Sequence, residues 1–466
     1  MFRGTALTTL IAIALCSSVG KGQGIEGVWV GTADRPPDSG PPVTLRLKVA
    51  QKGDSLRVAL SLPESRLIDL ELPSPYSDSS HATYKNKHLH LEFTPDIGLG
   101  FIGRIVPRDQ ERIIFDGDFS AKELEGEVQI TTYRSHIRLH RSEPLVSGRE
   151  MRVHFFSEAD SLRLGGTLIL PNGRGPFPGV VFVTGSDPDT REAWAIEARA
   201  LAARGVASLL YDKRGVGESG GANHDLASWD DLAGDVQGAV SFLRSRRDLV
   251  DGNHIGLIGQ SQGTWIIAKV AARDPKIGFL VSISGSGISA AQQETYRTGA
   301  LMKADGFADA DIERARQFQR RKFQVAKTGL GWESLDSTMK QLRADSVKWF
   351  PGYGTGAAAR SLSLLRLYGV LQFNYDPTRD LQRIKAPVLV IMGQNDLVFP
   401  PELVIERVHR ALLEGGNRDF TARIIPGASH GLTSVQTFQG KPFRRAINPV
   451  YLQTLVSWVS EKSKSK

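Results

Sequence analysis

Residues 255–263 are Ile-Gly-Leu-Ile-Gly-Gln-Ser-Gln-Gly, and this segment is the strongest indication of the fold in the sequence. An apolar run enters Gly-x-Ser-x-Gly and leaves it in a segment of helical length, which predicts a strand, a sharp turn and a helix. The turn needs glycine at 259 and 263, because a side chain there would collide with neighbouring backbone. The hydroxyl of Ser261 would stand exposed on this turn. We therefore predict that Ser261 is a nucleophile, against the alternative of an ordinary helix-capping serine.

Strand-like and helix-length segments alternate on both sides of this turn. The alternation is typical of an α/β fold, in which a mostly parallel sheet is flanked by crossover helices. The predicted strands are 162–170, 179–184, 207–211, 254–259, 279–284, 387–393 and 420–425. The predicted helices are 193–204, 228–244, 262–273, 401–414 and 448–460.

One connection in this α/β part, between residues 284 and 387, is far longer than a normal link from strand to helix. Helical patterns at 309–325 and 335–350 predict that it is a helical cap, at about 286–384, over the carboxyl edge of the sheet. The charged run at 313–322 is interpreted as an amphipathic, solvated helix face. The alternative is a surface for anionic substrates or a membrane.

A serine hydroxyl needs a base to activate it, and the base needs a carboxylate to orient it. Asp396 follows the predicted strand 387–393, and His430 lies on a glycine-rich loop after the strand 420–425. The order serine, acid, histidine is the one that a nucleophile turn of this kind requires. We predict the triad Ser261, Asp396 and His430. The alternatives are a turn or capping role for Asp396 and a solvent-exposed loop position for His430.

An oxyanion hole needs two backbone amides. Gln262 should supply one, because it directly follows the nucleophile. We predict Ser186 as the second donor, on the loop after the strand 179–184, where Gly185 allows a close approach of the backbone. The alternative is a simple turn that ends a strand.

The chain before residue 150 has a different pattern. Residues 24–145 alternate between apolar and polar in short runs, which predicts antiparallel strands in a sandwich or small barrel. The stretch 141–148 is the predicted linker to the catalytic domain, which is placed at 146–466. Two domains are also the expectation for a chain of 466 residues.

Residues 1–23 are predicted to be a signal peptide. Arg3 precedes the apolar run 6–16, which is too short to span a bilayer comfortably. Leu15 stands before Cys16 where lipoprotein signals usually carry a small residue, so we do not expect lipidation. Cleavage would remove the only cysteine, which excludes disulfides and cysteine-based sites. We predict a secreted or periplasmic protein without stable membrane insertion.

The region 150–460 resembles bacterial α/β-hydrolases related to secreted esterases and to the serine aminopeptidase-like (S33-type) group. The resemblance lies in 185–191 (GSDPDTR), in the D-x-R-G-x-G-x-S turn at 212–219 (DKRGVGES) and in the β-rich part that begins at 25–31 (IEGVWVG). It implies an α/β-hydrolase fold preceded by a small antiparallel β domain. Family turns often read G-x-S-x-G-G, whereas Thr264 replaces the last glycine here.

Other chemistries find little support. The Gly-x-Gly-x-x-Gly match at 215–220 continues as a loop, whereas a dinucleotide fingerprint opens a helix. His224 beside it is interpreted as structural or solvated. No paired-histidine metal motif is present, so neither a metal nor another cofactor is expected. The net charge is +8, but the lysines and arginines are interleaved with 50 acidic residues and no nucleic-acid-binding motif is present. Nucleic acid is therefore not an expected partner.

The predicted function is hydrolysis of a small-molecule carboxylic ester through an acyl-enzyme. The alternative is amide or aminopeptidase-like peptide hydrolysis by the same triad, which would need a carboxylate such as Glu294 to hold an amine. A third reading is a non-catalytic, hydrolase-like binding protein. The sequence leaves the oligomeric state open.

Overall fold

The computed structural model describes residues 24–34, 42–52, 55–62, 67–72, 81–93, 113–120, 123–130, 133–142, 148–222, 224–356, 359–438 and 441–464. The predicted signal peptide, with Cys16, lies outside the described residues, and so does the linker segment 143–147. Within the described ranges, every helix is too short or too polar to cross a membrane.

The N-terminal part is one antiparallel sheet of nine strands in the order β4-β3-β2-β1-β9-β8-β7-β6-β5. Leu60 on β3 and Leu89 on β6 lie far apart in this order but belong to one buried cluster with Trp29. The sheet therefore curls around a single core instead of forming two facing sheets. The strands are β1 (Gly27–Ala33), β2 (Val43–Lys52), β3 (Ser55–Leu62), β4 (Leu67–Leu72), β5 (His81–Lys85), β6 (His88–Phe93), β7 (Ile113–Phe119), β8 (Glu123–Ile130) and β9 (Tyr133–Ser142).

The predicted small antiparallel β domain is thus confirmed. Alternation explains it, since β7 buries every second side chain and leaves the others partly or fully exposed. The predicted start of the linker at residue 141 is wrong, because β9 continues to Ser142.

The C-terminal part is built on an eight-stranded sheet in the order β10-β11-β13-β12-β14-β15-β16-β17. From β13 to β17 neighbouring strands are parallel, while β10, β11 and β13 pair antiparallel. The strands are β10 (Arg149–Phe156), β11 (Arg163–Leu170), β12 (Phe177–Val183), β13 (Ala207–Tyr211), β14 (Val250–Gln260), β15 (Phe279–Ile283), β16 (Val388–Gly393) and β17 (Phe420–Ile425).

Helices cover both faces of this sheet, and each face has its own buried cluster. The parallel strands β13, β15 and β16 are therefore buried along their whole length. The flanking helices are α1 (Ala195–Ala202), α2 (Trp229–Ser245), α3 (Gln262–Ala271), α9 (Pro401–Glu414) and α10 (Pro449–Lys462). A hairpin of β18 (Thr433–Phe438) and β19 (Lys441–Ile447), which the sequence pattern did not predict, precedes α10.

The long connection between β15 and β16 holds α4 (Ala290–Ala304), α5 (Asp309–Thr328), α6 (Trp332–Ala344), α7 (Leu362–Tyr368) and α8 (Thr378–Leu381). Its apolar side chains form a separate buried cluster that includes Phe318, Leu335 and Trp349. The predicted helix 335–350 ends earlier, at Ala344, because Ser346 takes a positive φ of 49°. The connection is therefore a packed helical unit with a small core of its own.

Candidate active site

Ser261 occupies a strained turn between β14 and α3. Its φ is 50° and its ψ is −119°, and its amide donates to the Ile283 carbonyl on the next strand at 2.9 Å. A Cβ on Gly259 would lie 2.5 Å from the carbonyl oxygen of Gly263, and one on Gly263 would lie 2.4 Å from the Val183 oxygen. Both glycines are therefore required for the strand, turn and helix to close on one another, as the sequence predicted.

Thr264 occupies the position where family turns often have glycine. Its hydroxyl donates to the Ser261 carbonyl at 2.6 Å, and its amide donates to the same oxygen at 3.0 Å. A Cβ on Gly285 would lie 2.5 Å from this hydroxyl, so the neighbouring loop must be glycine there. The departure from the family pattern therefore adds a hydrogen bond behind the turn.

His430 and Asp396 form a buried pair. The imidazole Nδ1 lies 2.9 Å from Oδ2 of Asp396, whose Oδ1 accepts from the amides of Val398 at 2.7 Å and Phe399 at 2.9 Å. The Phe399 ring stacks on the imidazole, with centroids 5.8 Å apart and planes 7° from parallel. These contacts fix the carboxylate and the ring, and they leave Nε2 as the nitrogen that does not face Asp396.

The sheet brings the predicted residues to one edge. Ser261 follows β14, Asp396 follows β16 and His430 follows β17, and these strands are parallel. Ser261 and His430 line the same cavity of about 900 Å³, together with the predicted oxyanion residues Ser186 and Gln262. The cavity lies between this edge and the helical connection, where open α/β sheets bind ligands.

The loop with Ser186 is anchored through its carbonyl groups. Nζ of Lys213 donates to the Gly185 oxygen at 2.5 Å and to Oε1 of Gln262 at 2.9 Å. Nε2 of His224 lies 3.0 Å from the Ser186 oxygen. Because a trans peptide points C=O and N–H in opposite directions, the lysine that holds the Gly185 oxygen also directs the Ser186 amide away from itself.

The opposite side of this loop approaches Ser261. A Cβ on Gly185 would lie 3.3 Å from the Cβ of Ser261. Within the described part of the chain, the backbone N–H groups of Ser186 and Gln262 donate to no protein group. Both residues line the cavity that contains Ser261, so their N–H groups are candidate donors to an oxyanion, as acyl transfer would require.

Sequence reasoning gave Lys213 no role and interpreted His224 as structural or solvated, without the contact to Ser186. Lys213 is 4% exposed, and its burial lowers the pKa of the ammonium group to about 8 although nearby aspartates oppose the shift. Burial, together with the positive charge of Lys213, lowers the pKa of His224, which favours a neutral imidazole. The position of Lys213 inside the D-x-R-G-x-G-x-S turn could have indicated its role, but a lysine in a turn is normally expected to be exposed.

The remainder of that turn is a buried ionic network. The Arg191 guanidinium contacts Asp212 at 2.5 Å, and the Arg214 guanidinium contacts Asp235 at 2.6 Å. Helix α2 begins only at Trp229, well beyond the glycines, so this turn does not lead directly into a helix as a dinucleotide fingerprint does.

Helix α4 packs on the loop that carries the acid. The Tyr296 hydroxyl donates to the Asp396 carbonyl at 3.1 Å, and the Gln293 amide donates to the Val398 carbonyl at 3.2 Å. The carboxylate of Glu294 lines the cavity and lies 3.6 Å from the Arg297 guanidinium. Glu294, the residue considered for amine binding, is thus already next to a cation.

One group of side chains in the described ranges could share a metal ion. His81, His90 and Glu92 have ligand atoms within 4.8 Å of one another. They lie on β5 and β6 of the N-terminal sheet, whereas Ser261 follows a strand of the other sheet. This group of three side chains is therefore separate from the site that contains Ser261.

Comparison with known proteins gives one family. A model described as "Alpha/beta hydrolase family" matches residues 180–438. A non-heme haloperoxidase of Rhodococcus erythropolis is 25% identical over 257 residues, which is 53% of this chain and 84% of that protein. Esterase EstD of Thermotoga maritima is 28% identical over 125 residues, which is 25% of this chain and 29% of the esterase. A solved Pyrococcus furiosus esterase shares 17% identity at a TM-score of 0.43 and covers 68% of this chain and 91% of its own.

Proposed function

This chain belongs to the alpha/beta hydrolase family, and from that premise we propose that it is a serine hydrolase that cleaves carboxylic esters with Ser261, His430 and Asp396. The predicted fold class is confirmed by the family match, and hydrolase activity in general follows from the same match. The observation that carries the finer proposal is the buried pair of His430 and Asp396 in the cavity that also exposes the strained Ser261 turn.

In the first half of the proposed reaction, the Ser261 hydroxyl attacks the ester carbonyl while Nε2 of His430 takes its proton. Asp396, which faces Nδ1, stabilises the imidazolium that forms. The amides of Ser186 and Gln262 stabilise the oxyanion, and each such donor lowers the barrier by about 3 kcal/mol. When the tetrahedral species collapses, the bond to the alcohol oxygen breaks, and His430 returns its proton to the leaving alcohol.

In the second half, a water molecule attacks the acyl group on Ser261 and gives a proton to His430. The same two amides stabilise the second oxyanion. Collapse breaks the bond between the acyl carbon and the Ser261 oxygen, and His430 then reprotonates Ser261. The products are a carboxylic acid and an alcohol, and no cofactor takes part in the proposed steps.

Esters are favoured over the peptides of an aminopeptidase-like enzyme because of the charge that surrounds Glu294. An aminopeptidase-like enzyme needs a carboxylate for the substrate amine, but Glu294 lies beside Arg297. Three cationic side chains, Arg297, Lys322 and Arg360, line the cavity on the side of Glu294 and would repel an ammonium group there. Secretion through the predicted signal at 1–23 remains a proposal of its own.

The test is labelling and turnover with the full-length protein. A fluorophosphonate probe should label the wild type and fail to label Ser261→Ala, and Asp396→Asn should lower kcat by about 10⁴-fold. Turnover of p-nitrophenyl esters is then compared with that of aminoacyl anilides. Activity restricted to the anilides would overturn the ester assignment, and absence of labelling at Ser261 would overturn the serine mechanism and favour an inert binding protein.

A further inference from the structure

A buried lysine lines the wall of the cavity that the helical connection provides. Lys322 lies on α5 and is 1% exposed. Its Nζ donates to the Gly354 carbonyl at 2.7 Å and lies 3.5 Å from the Thr355 carbonyl. It also lies 5.0 Å from the centroid of the Phe323 ring, which lines the cavity too. The charged run 313–322 is thus not wholly solvated, because its last residue faces the substrate space.

In the part of the chain that the structure describes, the Lys322 ammonium group has no carboxylate as a close partner. Among the residues that the structure describes, no carboxylate oxygen lies within 4.0 Å of the Lys322 nitrogen. Glu294 attracts it from a longer distance, but that carboxylate is nearer to Arg297, at 3.6 Å. Arg360 adds an exposed cation to the same wall. The wall therefore has three cations and one carboxylate.

The charges in the cavity are also segregated. Asp187 follows the oxyanion residue Ser186, and Asp225 lies 3.4 Å from His224, so both carboxylates belong to the side of the oxyanion loop. The cationic side chains all belong to the segment from α4 to residue 360. An anionic group that enters the cavity would be drawn to the wall with Lys322 and away from the loop.

Burial explains why a ligand is expected at this cation. A charged group in a desolvated position is stable only when it is paired, and carbonyl dipoles replace its hydration in part. Burial lowers the pKa of Lys322 to about 8, so the ammonium form still dominates near neutral pH. A carboxylate on the substrate would supply the missing charge and a charge-assisted hydrogen bond.

We propose that Lys322, supported by Arg360, is an anion subsite, and that the preferred substrates are esters that carry a carboxylate away from the scissile bond. This inference rests on the proposed ester hydrolysis and specifies its substrate class. The carboxylate belongs either to the acyl group or to the alcohol, and the two sources need separate probes.

The first measurement uses wild-type enzyme alone. For the acyl side, kcat/KM for mono-p-nitrophenyl esters of dicarboxylic acids from succinate to suberate is compared with kcat/KM for their methyl-capped, neutral counterparts. For the alcohol side, butyryl esters of 4-hydroxybenzoate and of its methyl ester are compared. We expect one anionic series to be preferred by about ten- to hundredfold, the value of a hydrogen bond between charged groups. A preference below about threefold in both series would overturn the proposal.

The second measurement assigns the preference to a side chain. Lys322→Met keeps a side chain of similar length and removes the charge. It should reduce the ratio of kcat/KM for the anionic ester to kcat/KM for its neutral counterpart by about ten- to hundredfold. Lys327→Met, on the exposed part of the same helix, should leave the ratio unchanged. If Lys322→Met keeps the wild-type ratio, the anion is bound elsewhere and the assignment is wrong. If that variant does not fold, Arg360→Gln provides the second test and should lower the ratio in the same direction.

A binding experiment separates this inference from the proposed function. Calorimetric titration with glutarate should give saturable binding to the wild type and to Lys327→Met, and weaker binding to Lys322→Met. If no ester is hydrolysed but glutarate binds in this pattern, the proposed function fails and the anion subsite stands. If esters are hydrolysed without any anionic preference and glutarate does not bind, the subsite fails and the ester hydrolase stands.

Discussion

Replacement of Lys213 by methionine should disable the oxyanion loop without touching the triad. The lysine nitrogen holds the Gly185 oxygen at 2.5 Å and the Gln262 side chain at 2.9 Å. Methionine has a similar length and is apolar, so it fills the same buried space without donating a hydrogen bond. The peptide between Gly185 and Ser186 would then lose the contact that sets its direction.

The size of the effect follows from that peptide. A hydrogen bond from a charged donor contributes about 1.5–3 kcal/mol, so its loss allows the peptide to rotate in a large fraction of molecules. Rotation would turn the Ser186 amide away from Ser261, because the two ends of a planar peptide move together. The loss of one oxyanion donor sets the ceiling at about 10²–10³-fold in kcat. We expect kcat to fall by about 10- to 100-fold and KM to change little, since the interaction forms mainly in the transition state.

The assay is steady-state hydrolysis of p-nitrophenyl butyrate, with circular dichroism and thermal unfolding to show that the variant is folded. The matched control is Lys269→Met, since Lys269 is on the helix that follows Ser261 but faces Asp230 and Tyr375. A folded Lys213→Met enzyme with kcat within about threefold of the wild type would refute the reasoning, because Ser186 would then not depend on its anchored peptide. A change confined to KM would refute it as well.

Three further outcomes are expected. Gly263→Ala places a Cβ 2.4 Å from a main-chain oxygen and should destabilise the protein by about 1–3 kcal/mol in thermal unfolding, whereas Gly252→Ala, whose nearest neighbour is 3.4 Å away, should be nearly neutral. Asp212→Ala removes the closest carboxylate from the buried Arg191 guanidinium, which keeps Glu218 at 3.0 Å, and should cost about 3–5 kcal/mol in urea unfolding; exposed Asp248→Ala is its control, and equal effects would contradict this account. The anionic-to-neutral ratio of kcat/KM should decline above about pH 8, because burial lowers the pKa of Lys322 to about 8, although the Glu294 carboxylate, which lies beside Arg297, opposes the shift. The charge of Lys322 is present only below that value, and a ratio that stays flat to about pH 10 would contradict the prediction.

The sequence predicts the sheet well because its strands are buried on both faces. Strand β13 is buried at every position and has the predicted bounds, and so do strand β17 and helix α9, although these two are only partly buried. Strand β10 was not predicted, because its exposed face is polar and it pairs only at the edge of the sheet. Helix α4 was not predicted either, because few of its side chains are apolar and its buried face includes Gln293 and Thr298.

The candidate triad could be predicted because its chemistry imposes an order and a context. Glycines must flank the nucleophile, and the acid and the histidine must follow strands of the same sheet. The lysines of the site have no such constraint. Burial of Lys213 and Lys322 depends on which distant carbonyl groups fold over them, and a single sequence contains no local pattern for that.

The two lysines have pKa values lowered to about the same value, yet their surroundings assign them different tasks. Lys213 has two acceptors, from the loop and the turn that we propose as the oxyanion hole, and hydrolysis of every ester would form that oxyanion. Lys322 meets main-chain carbonyls and aromatic rings but no close carboxylate in the described ranges, so its charge is available to one class of ester. Loss of Lys213 should therefore lower the turnover of neutral and anionic esters by the same factor, whereas loss of Lys322 should change their ratio. If Lys213→Met changed the anionic-to-neutral ratio of kcat/KM as strongly as Lys322→Met does, the two lysines would not have separate roles in turnover and in substrate selection.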